Sequence, residues 1–167
     1  RYASGSISNS QQLFFAIQES VKQALKDNDV DYKGESSLKE NIISWLESPQ
    51  HSIFIDALLK DNQKWASLFP QSSTQEIITA LKKNGDVTSL IKNIFALAAE
   101  AGITALNFTA KTLKGWLADI VKKNNLKIVF VWDEFSDFFR KNSDSLSDFQ
   151  DVISIYQEAP VYFVVVT

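Results

Sequence analysis

Apolar residues recur at helical spacing from about residue 10 to residue 125, which predicts helices over most of the chain. The first stripe follows the N-cap candidates Ser8, Asn9 and Ser10, and its members are Leu13, Phe14, Ile17, Val21 and Leu25. Capping sequences at 37–40 and 73–76 predict further helix starts, Pro49 predicts a helix end, and a short helix is predicted over 53–59. We expect about six or seven helices before the first strand.

The pattern changes near the end of the chain, where two continuous apolar runs replace the helical spacing. The runs cover 128–132 and 161–166, and neither alternates apolar with polar residues. Such runs are typical of strands covered on both faces, as in a parallel sheet. Residues 135–159 have helical patterns and are long enough for the crossover that parallel strands require. The predicted fold class is α/β, with a predominantly helical region over 1–125 followed by a strand–helix–strand piece of a parallel sheet over 126–167.

Polar residues end both predicted strands. Asp133 and Glu134 follow the first run, and Thr167 ends the second. Because parallel strands point their carboxyl ends the same way, these residues are expected on one rim of the sheet, where open α/β folds bind ligands. Asp133 suits a magnesium ligand acting through water, Glu134 a base for an attacking water, and Thr167 a contact to phosphate. A simpler interpretation makes Asp133 the N-cap of a turn at Phe135 and Thr167 the start of a loop.

The amino-acid sequences of these segments are similar to motifs of a known superfamily. The sequence IVFVWDE over 128–134 resembles the Walker B motif of P-loop NTPases of the AAA+ and STAND type. The sequence VYFVVVT over 161–167 resembles the sensor 1 strand of that superfamily. Together with WDEFSDFF over 132–139, it resembles more specifically the large P-loop ATPases of BREX-type bacterial phage-defence systems. The resemblance covers only the last part of the chain, from residue 128 onward.

The resemblance implies ATP and Mg²⁺ as ligands, with Glu134 as the catalytic residue, Asp133 and Thr167 as nucleotide contacts, and Asp133 as the magnesium ligand through water. The match is incomplete, because none of the 5 glycines stands in the G-x-x-x-x-G-K-[ST] loop that cradles phosphate. We therefore expect a fragment of a larger ATPase in anti-phage defence that does not hydrolyse ATP alone. The alternative is a non-catalytic helical interaction or scaffold module with a vestigial NTPase core.

Charge and composition argue against several other classes of function. With 17 basic and 20 acidic residues the net charge is −3, which gives no general attraction to nucleic acid or anionic membranes. The sequence has no Cys, so disulfides and thiolate chemistry are excluded, and the single histidine, His51, argues against a transition-metal site. A carboxylate-pair hydrolase is disfavoured, because adjacent acids on an extended chain diverge.

The sequence also indicates a compartment and a set of partners. No apolar run approaches the roughly 20 residues of a bilayer span, so we expect a cytoplasmic protein without membrane contact. A locally basic stretch comprises Lys111, Lys114, Lys122, Lys123 and Lys127. Binding of nucleic acid there is left open, but lysines along an amphipathic helix are usually its solvated face, and no base-reading motif accompanies them. The resemblance implies ATP, further copies of the chain or other defence proteins as partners.

Overall fold

The computed structural model describes residues 9–31, 37–83, 87–103, 106, 108–133, 135, 140 and 146–166. Within these residues, seven α-helices precede the first strand, in agreement with the sequence: α1 Ser10–Asp27, α2 Leu38–Glu47, α3 Pro49–Asp61, α4 Gln63–Leu68, α5 Thr74–Lys82, α6 Thr88–Glu100 and α7 Ala110–Asn124. The remaining elements are β1 Ile128–Trp132, α8 Leu146–Ile153, a 3₁₀ helix Ser154–Gln157 and β2 Val161–Val165. The described chain is therefore mostly helical, with a small two-stranded sheet.

Side-chain caps mark two of the predicted helix starts. Asn9 caps α1, because its Oδ1 accepts a hydrogen bond from the backbone N–H of Gln12 at 2.9 Å. Ser73 caps α5 by accepting from the backbone N–H of Glu76 at 3.3 Å. The carboxylate of Glu76 does not complete the predicted capping box with Ser73; it accepts instead from the backbone N–H of Ser72 at 2.9 Å and from its hydroxyl at 3.1 Å.

One helix ends just before Pro49, and Pro49 begins the next helix. Helix α2 stops at Glu47, as predicted, and α3 then starts at Pro49 itself. Proline is well suited to the first helical position, because the N–H that it lacks would have no partner there. For this reason α3 runs over Pro49–Asp61 and is longer than the helix predicted over 53–59.

The chain divides into two compact units. An α/β unit comprises Arg1–Ser37 with Phe108–Thr167, and a helical unit comprises Leu38–Asn107. Thus α1 belongs to the same unit as the sheet, although 70 residues of the helical unit separate it from α7 along the chain. The boundary predicted between residues 125 and 126 marks the change from helices to strands, and its role as a domain boundary stays a prediction.

The helical unit consists of α2 to α6 around an aliphatic core. Its most deeply buried side chains are Ile42, Leu46, Ile55, Ile77, Leu81 and Ile91. A part-buried polar contact links α5 to α3, because both the backbone N–H and the hydroxyl of Thr74 donate to Oδ1 of Asp56 at 2.6 Å. Thr74 is almost fully buried, so this carboxylate satisfies two donors that would otherwise lose their hydrogen bonds to water.

Helix α7 is the central helix of the α/β unit, since it packs against α1, α8 and β2. Its buried stripe consists of Leu113, Trp116, Leu117, Ile120 and Val121, which repeats at the spacing of one helix face. Each fully buried aliphatic side chain of this kind contributes about 1.5–3 kcal/mol of transfer free energy. At the start of α7, Phe108 meets Phe14 of α1 edge to face, with ring centroids 6.2 Å apart.

The two strands are parallel and adjacent, as the sequence predicts. Ile128 pairs with Val161, and the register continues without a break to Trp132 opposite Val165. The sheet begins with a hydrogen bond from the backbone N–H of Ile128 to the carbonyl of Pro160 at 3.0 Å. Helix α8 and the 3₁₀ helix lie between the strands in sequence, so the crossover that parallel pairing requires is present.

The prediction that both faces of the sheet are covered is wrong for the described part of the chain. On one face Phe130, Trp132 and Phe163 pack towards Phe149 of α8 and Val161 is fully buried. The other face, here called the open sheet face, presents Val129, Val131, Tyr162, Val164 and Val166, whose exposed fractions run from 44% to 69%. The apolar runs are continuous because both faces are apolar, although only one of them packs against α7 and α8.

We expect Gly115→Ala to stabilise the protein by about 0.5–1 kcal/mol, because glycine inside a helix loses more backbone entropy than alanine. Gly115 lies in the middle of α7, and a Cβ atom there would meet nothing within 4 Å. Urea unfolding measures the change. Gly102→Ala is the matched control: Gly102 also has free space but adopts φ +67°, so alanine there should lower the free energy of unfolding. A Gly115→Ala protein that unfolds at lower urea would contradict this packing of α7.

Candidate functional site

The carboxyl ends of β1 and β2 form one rim. The backbone N–H of Val166 donates to the carbonyl of Trp132 at 2.8 Å, so the strands stay paired up to the point where the chain leaves the sheet. Asp133 follows Trp132 directly, in a turn, and its side chain is exposed. The structure therefore places this predicted site residue at the rim, where water, a cation or a ligand can reach it.

Two of the three predicted site residues, Glu134 and Thr167, lie outside the described residues. Each is the covalent neighbour of a described rim residue, since Glu134 follows Asp133 and Thr167 follows Val166. Their roles as catalytic base and phosphate contact stay predictions.

An aromatic cluster supports the rim from the covered face of the sheet. Phe149 is the centre of the cluster: its ring centroid lies 5.5 Å from Trp132, 5.1 Å from Phe135 and 5.9 Å from Phe163. Trp132 and Phe135, on either side of the acidic pair, meet edge to face at 5.3 Å. Phe130 stacks on Phe163 at 4.8 Å and so joins the two strands. Ring packing thus holds Trp132 and Phe135 against Phe149 of α8.

The sequence predicts that the phenylalanines after the acidic pair belong to the core. Phe135 is half-buried within the cluster, which agrees with this prediction. Phe138 and Phe139 lie outside the described residues.

Lys114 has a structural contact that the sequence analysis missed. Its Nζ donates to the hydroxyl of Ser154 at 3.0 Å and lies 2.9 Å from Oε1 of Glu158. This side chain is only 19% exposed, so it joins α7 to the segment that leads into β2. The sequence signal for this contact was the position of Lys114 between Leu113 and Leu117, at the border of the buried stripe. At such a border the aliphatic part of a lysine packs on apolar surface and its amine reaches a polar partner.

The other lysines of the basic stretch fit a solvated helix face. Lys123 pairs with Asp119 one helical turn earlier at 3.0 Å, and Lys111, Lys122 and Lys127 are exposed. Exposed pairs of this kind contribute little to stability.

The carboxylate of Asp133 is the type of oxygen ligand that hard cations prefer. A single exposed carboxylate such as that of Asp133 can hold Mg²⁺ together with waters and phosphate oxygens, because this cation keeps much of its hydration shell. No group of three or more His, Cys, Asp or Glu side chains in the described ranges could enclose a metal. The ring of His51 stacks on Trp45 at 4.2 Å, and its Nδ1 lies 2.9 Å from the Trp45 carbonyl, so it has a structural role in the helical unit.

The chain was compared with protein-family models, with curated proteins and with solved structures, and no match was found in any of the three. None of the helices in the described residues is both long enough and apolar enough to cross a membrane.

Proposed function

We propose that this chain is part of a larger P-loop ATPase and supplies the rim that binds Mg²⁺ and ATP. The observation that carries the proposal is the parallel pairing of β1 with β2 up to Trp132 and Val165, with Asp133 exposed immediately afterwards. Open α/β sheets bind ligands at the carboxyl ends of parallel strands. An apolar strand that ends in Asp-Glu at such an edge has the residue types that nucleotide hydrolysis needs.

Each rim residue has a separate task in this proposal. Asp133 orients the hydrated cation through water, and the bound Mg²⁺ neutralises charge on the phosphate oxygens. Glu134 accepts a proton from the attacking water, and Thr167 hydrogen-bonds to phosphate at the end of the neighbouring strand. The aromatic cluster beneath the rim keeps the turn that carries Asp133 in place, since Trp132 is held by Phe149.

Asp133→Asn tests the magnesium role in the larger protein. Asparagine keeps the size of the side chain and removes its charge, so ATP binding with Mg²⁺ should weaken by about tenfold or more, which is about 1.4 kcal/mol. Binding measured with EDTA in place of Mg²⁺ should change less than about twofold. The comparison of the two titrations isolates the cation, because only the metal-dependent part of the affinity involves Asp133.

The matched control for this experiment is Asp151→Asn, which removes an exposed carboxylate of the same type from α8. It should leave both titrations unchanged. Equal affinities of the Asp133→Asn variant and the wild-type protein for ATP with Mg²⁺ would remove Asp133 from the site.

The alternative function, a non-catalytic helical interaction or scaffold module with a vestigial NTPase core, is favoured by one specific observation. The 167 residues contain no phosphate-cradling loop, so they lack the backbone donors and the lysine that hold the triphosphate. Reading the coding sequence on the N-terminal side of Arg1 separates the two functions. A phosphate loop there supports the ATPase, and a complete reading frame without one supports the scaffold.

The cellular setting is also part of the proposal. A cytoplasmic ATPase in anti-phage defence would act with ATP and with copies of itself or other defence proteins as partners. This setting is supported only by the resemblance of the rim sequence to BREX-type ATPases. The basic stretch leaves nucleic acid open as a further partner, and the contacts of Lys114 and Lys123 within the chain reduce the charge available for it.

A further inference from the structure

A groove in the helical unit has the size of a small-molecule site. It lies between the loop after α4, the last turn of α5 and the first turns of α6, and its cavity volume is about 420 Å³. We call it the α5–α6 groove. Ligand pockets in proteins usually enclose about 300–1,000 Å³ and are lined mainly by apolar side chains with a few polar groups. The apolar lining here comprises Leu68, Pro70, Ala80, Val87 and Leu90.

Hydrogen bonds fix the walls of the α5–α6 groove. Nδ2 of Asn93, in α6, donates to the carbonyl of Leu68 at 2.7 Å, so the end of α4 is tied to α6. In the loop that follows, the backbone N–H of Ser72 donates to the carboxylate of Glu76 in α5 at 2.9 Å. The groove is therefore formed without a ligand, and a ligand does not have to order these segments first.

One end of the groove is positively charged. Among the described residues that line it, Lys83 alone carries a charge, and it forms no ion pair with a described carboxylate. The neighbouring Lys82, by contrast, pairs with Glu47 at 2.8 Å. Helix α6 begins at this end without an acidic residue in its first turn, and its N-cap residue, Val87, has no side-chain oxygen. The partial positive charge of the helix start adds to that of Lys83, so this end suits a carboxylate.

Acceptor groups lie about one helical turn further along α6. Asn93 is four residues after Ser89, which corresponds to about 6 Å along the helix axis. Because Nδ2 of Asn93 donates to Leu68, its Oδ1 remains to accept. Gln71 also lines the groove, and its buried Oε1 has no hydrogen-bond partner in the described part of the chain. A buried acceptor without a donor is destabilising, and the soft torsion of the glutamine amide lets it turn to a donor in the groove. This end therefore suits an ammonium group.

We infer that the α5–α6 groove binds an apolar dipeptide with free termini, with its carboxylate at Lys83 and its ammonium group at Asn93 and Gln71. Two residues of extended peptide span at most about 7 Å, which matches the separation of the two ends. The side chains of the dipeptide pack on Leu68 and Leu90. The inference concerns the helical unit and does not require that the rim binds nucleotide.

Titration of the 167-residue chain with leucyl-leucine tests this inference. Backbone amide chemical shifts should show saturable binding, with changes confined to the loop after α4, the end of α5 and the first turns of α6. Two analogues each remove one charge: leucyl-leucinamide lacks the carboxylate, and isocaproyl-leucine lacks the ammonium group. Each should bind at least about threefold more weakly than leucyl-leucine, since exposed charge pairs contribute modestly. Changes spread over the whole chain, or changes that do not saturate, overturn the inference.

Lys83→Met assigns the carboxylate to its end of the groove. It should weaken binding of leucyl-leucine by about threefold or more and leave binding of leucyl-leucinamide unchanged, because the amide has no charge for the lysine to meet. Circular dichroism should show an unchanged fold, since Lys83 is exposed. Lys82→Met is the matched control and should leave both affinities unchanged, because Lys82 pairs with Glu47. Equal losses in the two lysine variants would show a general attraction of anions to a basic surface and overturn the inference.

Gln71→Met tests the opposite end. It should weaken binding of leucyl-leucine and leave binding of isocaproyl-leucine unchanged, because only the first ligand has an ammonium group. Gln75→Met, at an exposed position of α5, is the control and should change neither. Isocaproyl-leucine that binds as tightly as leucyl-leucine would show a site for apolar carboxylates in general and overturn the dipeptide assignment. Binding of leucyl-leucine that neither Lys83→Met nor Gln71→Met weakens would place the ligand elsewhere, with the same consequence.

Discussion

Glu134→Gln should abolish ATP turnover in the proposed larger ATPase while leaving ATP binding within about twofold of the wild-type value. Glutamine keeps the shape of the side chain but cannot accept the proton of an attacking water, and a positioned general base contributes about 10²–10⁴-fold to a rate. Steady-state phosphate release measures turnover, and nucleotide titration of the same preparation measures binding. The separation of the two is the signature of a residue that acts in the chemical step, because a residue needed for binding would change both.

Asp133→Asn is the natural comparison for that experiment. It should weaken metal-dependent ATP binding as well as turnover. The two neighbouring acids are therefore distinguishable, because Glu134→Gln should lower turnover alone. A Glu134→Gln variant with undiminished phosphate release would remove Glu134 from catalysis. Turnover by the 167-residue chain alone would contradict the proposal in another way, because no phosphate loop is present in it.

Phe149→Ala should destabilise the α/β unit by about 3–5 kcal/mol, the usual cost of removing a buried phenylalanine. Phe149 is only 2% exposed, and its ring contacts those of Trp132, Phe135 and Phe163. The alanine variant loses these contacts and leaves a cavity between α8 and the sheet. Urea unfolding followed by circular dichroism and by tryptophan fluorescence measures the loss. The combined emission of the 4 tryptophans should shift to longer wavelength as water reaches Trp132.

Two further variants make the Phe149 result specific. Phe149→Leu keeps most of the volume and should cost about 1.5 kcal/mol or less. Gln150→Ala, at the neighbouring exposed position of α8, should change the free energy of unfolding by less than about 0.5 kcal/mol. If Phe149→Ala and Gln150→Ala unfolded at the same urea concentration, the aromatic cluster would have no role in holding α8 on the sheet.

The sequence predicts much of this fold because its signals are local. Helical spacing of apolar residues predicts six or seven helices before β1, and seven are found among the described residues. A crossover of sufficient length between the two apolar runs predicts their parallel pairing, which the structure shows. The position of Asp133 follows from the same reasoning, since a polar residue that ends a buried strand must lie at the rim. The roles of Glu134 and Thr167 stay predictions, because both residues lie outside the described part of the chain.

Other features depend on contacts that no local pattern encodes. A continuous apolar run has the same composition whether its second face is covered by this chain or by something else, so the exposure of Val129 and Val131 could not be predicted. Lysine at position 114 is typical of a solvated helix face. Its ion pair could not be predicted locally, because the partner, Glu158, lies far along the chain. The early start of α3 could be predicted only by considering Pro49 as a first helical residue as well as a helix end.

The parallel pairing of β1 with β2 is the claim on which the rim, the proposed magnesium site and the open sheet face all depend. Interstrand nuclear Overhauser effects between backbone protons of the two segments test it most directly. The account predicts contacts that advance together along both strands, with Val129 near Tyr162 and Val131 near Val164. The reversed order, with Val129 near Val164 and Val131 near Tyr162, would contradict the account, as would the absence of contacts between the two segments.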